Sequence, residues 1–275
     1  MATKQRQVRK RDEQFATRTA TRIWQEVPSA DNPYLAETCR CHGYDILELA
    51  QKRSFSDVLF LLFQGSLPTK EQSNLLESLL ILCINPGPRH PATRATMNAG
   101  VSRTFPVHLL PIGLSIMGGE APAGAAEVTQ AMHFMRKHGG KPPEQVIADN
   151  FSVGPAQNSS LKIHGFGNRF GGIDPFAQRV AKHLLAVSPT AKMLVWGGAL
   201  ARLLDGHGQG WLLTGIAAAV FCDLGFHPRI GAALFQLISA PGILAHGLEL
   251  ANKPITAMPF LDEEHYVIAP EAKKG

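Results

Sequence analysis

Lys162-Ile163-His164-Gly165-Phe166-Gly167-Asn168-Arg169-Phe170-Gly171-Gly172-Ile173-Asp174-Pro175 is the stretch on which the reading of this chain turns. Gly165, Gly167, Gly171 and Gly172 fall in a tight basic loop that ends at an Asp-Pro pair. Phe176, Val180, Ala181, Leu184 and Leu185 then follow at helical spacing. Asp at an N-cap with Pro at the first helical position is a strong helix start. Free backbone N–H groups, Lys162 and Arg169 would thus meet beside a helix N-terminus. That arrangement suits a phosphate or a carboxylate. On local chemistry alone, an ordinary glycine-rich turn is the alternative.

Outward from the loop the pattern is helical. Phe55, Val58, Leu59, Leu62 and Phe63 share one helical face, and Gly65 closes that segment. Thr69 opens another helix carrying Leu75, Leu76, Leu79, Leu80 and Cys83. An apolar stretch runs from Phe105 to Met117. A helix is expected over 123–138 with Val128, Met132 and Met135 inward, and further helices over 190–204, 211–222 and 228–250. Pro241-Gly242 should interrupt the last of these. No stretch shows convincing period-two alternation, so the expected fold is mainly α.

The 275 residues can bury a large core in one or two domains. Only 18% are charged against 45% hydrophobic, where about 25% charged is usual, so much surface should be hidden in an oligomer. The net charge of +5 is uneven. Lys4, Arg6, Arg9, Lys10, Arg11 and Arg18 crowd a tail over residues 1–20, expected to be disordered. With almost no aromatic partners, that tail does not read as a nucleic-acid site. Cys39, Cys41, Cys83 and Cys222, with no export signal, fit a reduced cytoplasmic protein. Cys39-Arg40-Cys41-His42 resembles half of a metal clip, but no second ligand pair follows, so no metal is expected. Ile230 to Leu248 carries no Asp, Glu, Lys or Arg and is long enough to span a membrane. Its Gly231, Gln236, Ser239, Pro241, Gly242 and His246 fit a buried core helix better.

Three segments together resemble the citrate synthase superfamily. They are Gly43-Tyr44-Asp45-Ile46-Leu47-Glu48-Leu49 with the segment through Leu67-Pro68-Thr69-Lys70-Glu71, the loop 162–175, and Gly242-Ile243-Leu244-Ala245-His246-Gly247-Leu248-Glu249. The resemblance runs from about residue 21 to about 260. Its length, its Gly-Tyr-Asp segment and Gly87-Pro88 are closest to the compact citryl-CoA lyase branch. The resemblance implies a large helical domain (21–119 and 211–275), a smaller helical domain (120–210) that closes over substrate, and a dimer. It implies a CoA ester as substrate or ligand.

The family's catalytic groups are largely replaced. Enolisation beside a thioester uses a carboxylate base and a His donor, while a second His and arginines hold the keto-acid partner. The segment matching the first His reads Gly119-Glu120-Ala121-Pro122-Ala123-Gly124-Ala125, so Pro122 stands there. Asn168 replaces the second His, Trp211 the catalytic Asp, and Ser239 one substrate arginine; another falls on Met258. Arg169 is kept. Ordinary citrate synthase or citryl-CoA lyase turnover is therefore not expected. Asn168, Arg169, Glu120 and His164 remain as candidate catalytic residues, with Lys162, Gly165, Gly167 and Arg169 for CoA or another anion. Two readings stay open. One is an enzyme with altered CoA-ester chemistry on an acyl-CoA and a more apolar partner acid. The other is an inactive subunit or sensor paired with an active paralogue.

Overall fold

The computed structural model describes residues 16–119, 124–151, 163–259, 261–262 and 264–269, without the side chains of 150 and 151. Most of the basic tail, Glu120, Pro122 and Lys162 lie outside the described residues. Two compact units are present, one ending at Leu67 and one beginning at Pro68.

The first unit holds β1 (Trp24–Pro28), β2 (Ala36–Cys41), β3 (Tyr44–Asp45), α1 (Ile46–Lys52) and α2 (Phe55–Gln64). The fold is mainly α as expected, and this antiparallel sheet of order β1-β2-β3 is a small addition that no alternation announced. Its strands carry little alternation because both faces are largely exposed. Along β2 only Cys39 is half-buried and only Cys41 buried. Cys41 packs with Leu49 and Leu61 in a small core, and burial raises its thiol pKa. His42 and Gly43 form the two-residue turn between β2 and β3, with φ of 46° and 87°. Positive φ at both central positions is the hairpin geometry that follows strand twist. Cys41-His42-Gly43-Tyr44 is thus a hairpin turn, and among the described residues no group of three metal-binding side chains converges anywhere. Gly65 caps α2 at φ 74° as expected, and Ser54 opens it with a capping box on Asp57.

The second unit is helical. It holds α3 (Lys70–Leu82), α4 (Pro91–Val101), α5 (Leu109–Met117), α6 (Ala126–His138), α7 (Pro143–Phe151), β4 (Phe166–Gly167), α8 (Pro175–Val187), α9 (Lys192–Asp205), β5 (Gly210–Trp211), α10 (Leu213–Asp223) and α11 (Pro228–Ala251). Thr69 caps α3 through a capping box with Gln72, and Asp174 caps α8 with Pro175 at its first position. Val128, Met132 and Met135 are buried as the spacing requires. Two starts differ from expectation. Thr190 does not open α9: its hydroxyl donates to Glu71 Oε1 at 2.6 Å, and the Asp223 carboxylate from the end of α10 accepts from Met193 and Leu194 N–H instead. Burial raises the Asp223 pKa in spite of these bonds. Trp211 belongs to a strand, so α10 begins two residues later than expected.

Around α11 the core closes. Pro241 does not end this helix, which runs unbroken over 24 residues. Pro241 has no N–H, and the next donor, Gly242 N–H, leaves the helical ladder for the Ile84 carbonyl at 3.0 Å. A Cβ at Gly242 would lie 2.5 Å from Asn85 Cα, so only glycine admits the chain after α3 this closely. By length and apolarity α11 would suffice to cross a membrane, but 50% of its most apolar window is buried inside the protein. Its contact with α4 is backbone on backbone: a Cβ at Gly100 would overlap the Gly247 carbonyl oxygen, and one at Gly247 would lie 2.5 Å from the Thr96 methyl.

Gly100→Ala should therefore force α4 and α11 apart and destabilise by about 3 kcal/mol or more, the upper end of overpacking. Gly43→Ala meets no atom within 4 Å and should cost only its left-handed backbone, about 1–2 kcal/mol. Urea unfolding of the two variants beside wild type checks the order.

Candidate functional site

The start of the decisive loop lies on the start of α10. Gly165, at φ 86°, accepts the Leu212 N–H on its carbonyl at 3.1 Å. A Cβ at Gly215 would overlap that same carbonyl, and one at Gly165 would lie 2.8 Å from Gly215 Cα. Phe166 and Gly167 pair with Trp211 and Gly210, and the two aromatic rings stack with centroids 4.5 Å apart. From the other side Glu127, in the first turn of α6, reaches the loop. Its Oε1 accepts Gly165 N–H at 2.9 Å, and both its oxygens lie 3.2 Å from His164 Nδ1. An ionised carboxylate only accepts, so Nδ1 carries a proton here and, in the neutral ring, Nε2 is left as an acceptor. The loop thus binds an anion, and that anion is the protein's own Glu127.

Farther along, Arg169 and Gly172 exchange backbone hydrogen bonds of 2.7 and 3.1 Å around Phe170 and Gly171, at φ 53° and 81°. A bulky residue at positive φ is uncommon, and Phe170 is held there while 82% exposed. The Arg169 guanidinium lies 5.4 Å from the Phe170 ring centre and that of Arg89 lies 6.0 Å from it, within cation–π range. Arg169 Nη1 stands 3.9 Å from Asp174 Oδ2, while Asp174 Oδ1 caps α8.

These pieces border a cleft of about 300 Å³. Gly167, Asn168 and Arg169 line it, as do Glu127, Asp174, Asn85 and His90. Its apolar wall comes from Cys83, Met117, Phe166, Leu212 and Phe235. His90 is buried and uses Nδ1 to accept Ala92 N–H at the start of α4, so its neutral ring carries the proton on Nε2. Cys83 is no nucleophile, because burial pushes its thiol up to about 12. His246 sits outside the lining, with Nε2 3.2 Å from Asn85 Nδ2 and Nδ1 3.9 Å from Glu249.

Of the sequence candidates, the cleft brings together Gly167, Asn168 and Arg169. His164 does not line it and joins through Glu127. The Gly165 N–H is already engaged, and Glu120 and Lys162 lie outside the described residues. Ser239 lines the cleft, with its hydroxyl 3.4 Å from the Cys83 carbonyl. Trp211 does not. It is 3% exposed, its ring lies so close over Gly197 that a Cβ there would overlap it, and its N–H has no partner among the described residues. Glu127 and His90 were not found from sequence. An acid in a helix's first turn and a His before Pro are ordinary capping signals, and nothing local points to partners so far along the chain.

No protein-family model and no curated protein matches this sequence. Solved structures do. Citryl-CoA lyase from Hydrogenobacter thermophilus superposes with a TM-score of 0.74 at 22% identity, over 94% of this chain and 97% of that one. ATP citrate lyase of Methanosaeta concilii, solved as a D541A mutant with (3S)-citryl-CoA, gives 0.67 at 16% over 92% of this chain and 43% of that one. Citrate synthase from Thermoplasma acidophilum, in complex with carboxymethyl coenzyme A and oxaloacetate, gives 0.58 at 20%, over 81% and 59%. The fold is the one these citryl-CoA lyase and citrate synthase structures share. The match to the Hydrogenobacter citryl-CoA lyase runs along nearly the whole of both molecules.

Glu127→Ala strands the Gly165 N–H and the His164 ring and should destabilise by about 1–3 kcal/mol, whereas Glu127→Gln keeps an acceptor and should lose less. Chemical unfolding with an unchanged denaturant slope checks this. Native protein at pH 8 should resist iodoacetamide at Cys83 and Cys222, both pushed up to about 12 by burial, and react there only once unfolded. Mass spectrometry of the labelled chain reads the result.

Proposed function

We propose that this chain binds an acyl-CoA, or a related carboxylate, in the cleft bordered by Gly167-Asn168-Arg169, and performs there a CoA-ester carbon–carbon bond reaction other than citrate synthesis or citryl-CoA cleavage. The observation that supports it is the cleft itself. On a citrate synthase fold, the loop carrying Arg169 is fixed in place by Glu127 and α10 and edges a cavity walled by apolar side chains. CoA compounds are bound by the Methanosaeta lyase and the Thermoplasma synthase structures that share the fold. In this reading Arg169 holds a carboxylate or phosphate bidentately and the Asn168 amide donates to a carbonyl oxygen. Proton transfer falls to His164, poised by Glu127, or to Glu120. The division of 120–210 as a smaller domain belongs to the same proposal. So does a dimer, with itself or with an active paralogue, since Phe105 and Val107 stand 72% and 62% exposed before α5.

A second reading, a catalytically inactive subunit or sensor, is favoured by one observation. Trp211, which stands where the family base would be, is packed on Phe166 and Gly197 and contributes nothing to the cleft.

Calorimetric titration with CoA and acyl-CoAs should show binding that Arg169→Ala weakens by roughly 10- to 100-fold, the worth of a charge-assisted hydrogen bond, and that Arg169→Lys restores only in part. Oxaloacetate with acetyl-CoA should give no citrate above background. Binding with turnover of another acid partner supports the enzyme, binding with none supports the sensor, and no binding at millimolar ligand removes both.

A further inference from the structure

Phe170 is strained and exposed at once. It stands at φ 53° in the two-residue turn between Arg169 and Gly172, with 82% of its surface free. A bulky residue is rarely found at such a φ, and so exposed a ring gains little from packing in return. Strain of this kind clusters at ligand sites.

Two guanidinium groups attend this one ring, Arg169 at 5.4 Å and Arg89 at 6.0 Å from its centre. Arg89 is exposed and makes no hydrogen bond or ion pair among the described residues. The Arg169 side chain is 32% exposed, and its Nη1 stands 3.9 Å from Asp174 Oδ2, too far for a hydrogen bond. Like charges held beside one ring repel each other, and an anion between them would remove that repulsion. Arg89, Arg169 and Phe170 together line a cavity of about 320 Å³. It adjoins the cleft and shares Arg169 and Asp174 with it. Pro86, Pro88 and Pro175 add rigid apolar wall. Two arginines and one aspartate are the charged residues lining it, a net charge of one positive unit. That balance suits a single carboxylate.

We propose that this cavity binds an aromatic monocarboxylate, with its ring against Phe170 and the prolines and its carboxylate held by Arg89 and Arg169. A planar ring packs well on an exposed planar ring, and guanidinium forks match the two oxygens of a carboxylate. The ligand gives Phe170 the contact that the fold does not. Arg89 becomes a binding residue beside Arg169. The inference rests on the reading of Arg169 as an anion holder, and it deepens the proposed function by making the partner acid an aromatic one.

Calorimetry of the full chain with phenylacetate, cyclohexylacetate, phenylacetamide, phenyl phosphate and CoA tests it. Phenylacetate should bind, cyclohexylacetate several-fold more weakly, and phenylacetamide at least roughly tenfold more weakly. Arg89→Ala should lower phenylacetate affinity by roughly tenfold. Phe170→Gly should lower it several-fold while holding Tm near wild type, because glycine takes a positive φ freely, and Phe170→Tyr should keep the affinity. The proposal is overturned if phenylacetate does not bind wild type at millimolar concentration, or if Arg89→Ala and Phe170→Gly bind it as well as wild type. Tighter binding of phenyl phosphate than of phenylacetate also overturns it, marking a phosphate site. CoA keeps the two readings apart. Arg89-dependent phenylacetate binding without CoA binding leaves this site standing and removes the CoA reading. Arg169-dependent CoA binding without phenylacetate binding does the reverse.

Discussion

Gly165 and Gly215 meet backbone to backbone, and the cleft is built around that contact. With no Cβ on either side, the loop carbonyl comes close enough to take the Leu212 N–H, and the strand pair Phe166–Trp211 follows from the same approach. Glu127 then fastens the loop from α6 by two routes, through Gly165 N–H and through His164. A side chain at either glycine would lift the loop and carry Gly167, Asn168 and Arg169 away from the cavity they border. The positive φ at Gly165 adds to the restriction, since other residues rarely adopt it.

Trp211 is a packing residue. It fills the space over Gly197 and stacks on Phe166. An aromatic stack of this kind adds about 0.5–1.5 kcal/mol beyond area burial. The helix that follows begins at Leu213, and its N-cap Leu212 offers no side-chain hydrogen bond.

The opposite wall depends on α11. Pro241 releases a position in the helical ladder, and the Ile84 carbonyl takes the Gly242 donor. Ser239 approaches the Cys83 carbonyl and His246 approaches Asn85 in the same strip. The short segment after α3 is thus tied along one face of α11, which holds Cys83 and Asn85 at the cleft edge. A proline that breaks most helices here makes a tertiary hydrogen bond available.

Local rules made much of this legible. Gly65, Thr69 and Asp174-Pro175 mark helix ends because caps need particular side chains or backbone angles, and those needs are met within a few residues. The apolar spacing of Val128, Met132 and Met135 declared a buried face for the same reason. The order of the family-like segments carried the fold. The small sheet stayed hidden because its strands bury almost nothing, so no alternation marks them. Pro241 misled because its effect is set by a carbonyl from another part of the chain. Glu127 and His90 came to light only in the folded molecule. Each is unremarkable in its own stretch of sequence, and its chemistry depends on which groups, distant along the chain, satisfy it or leave it unmet.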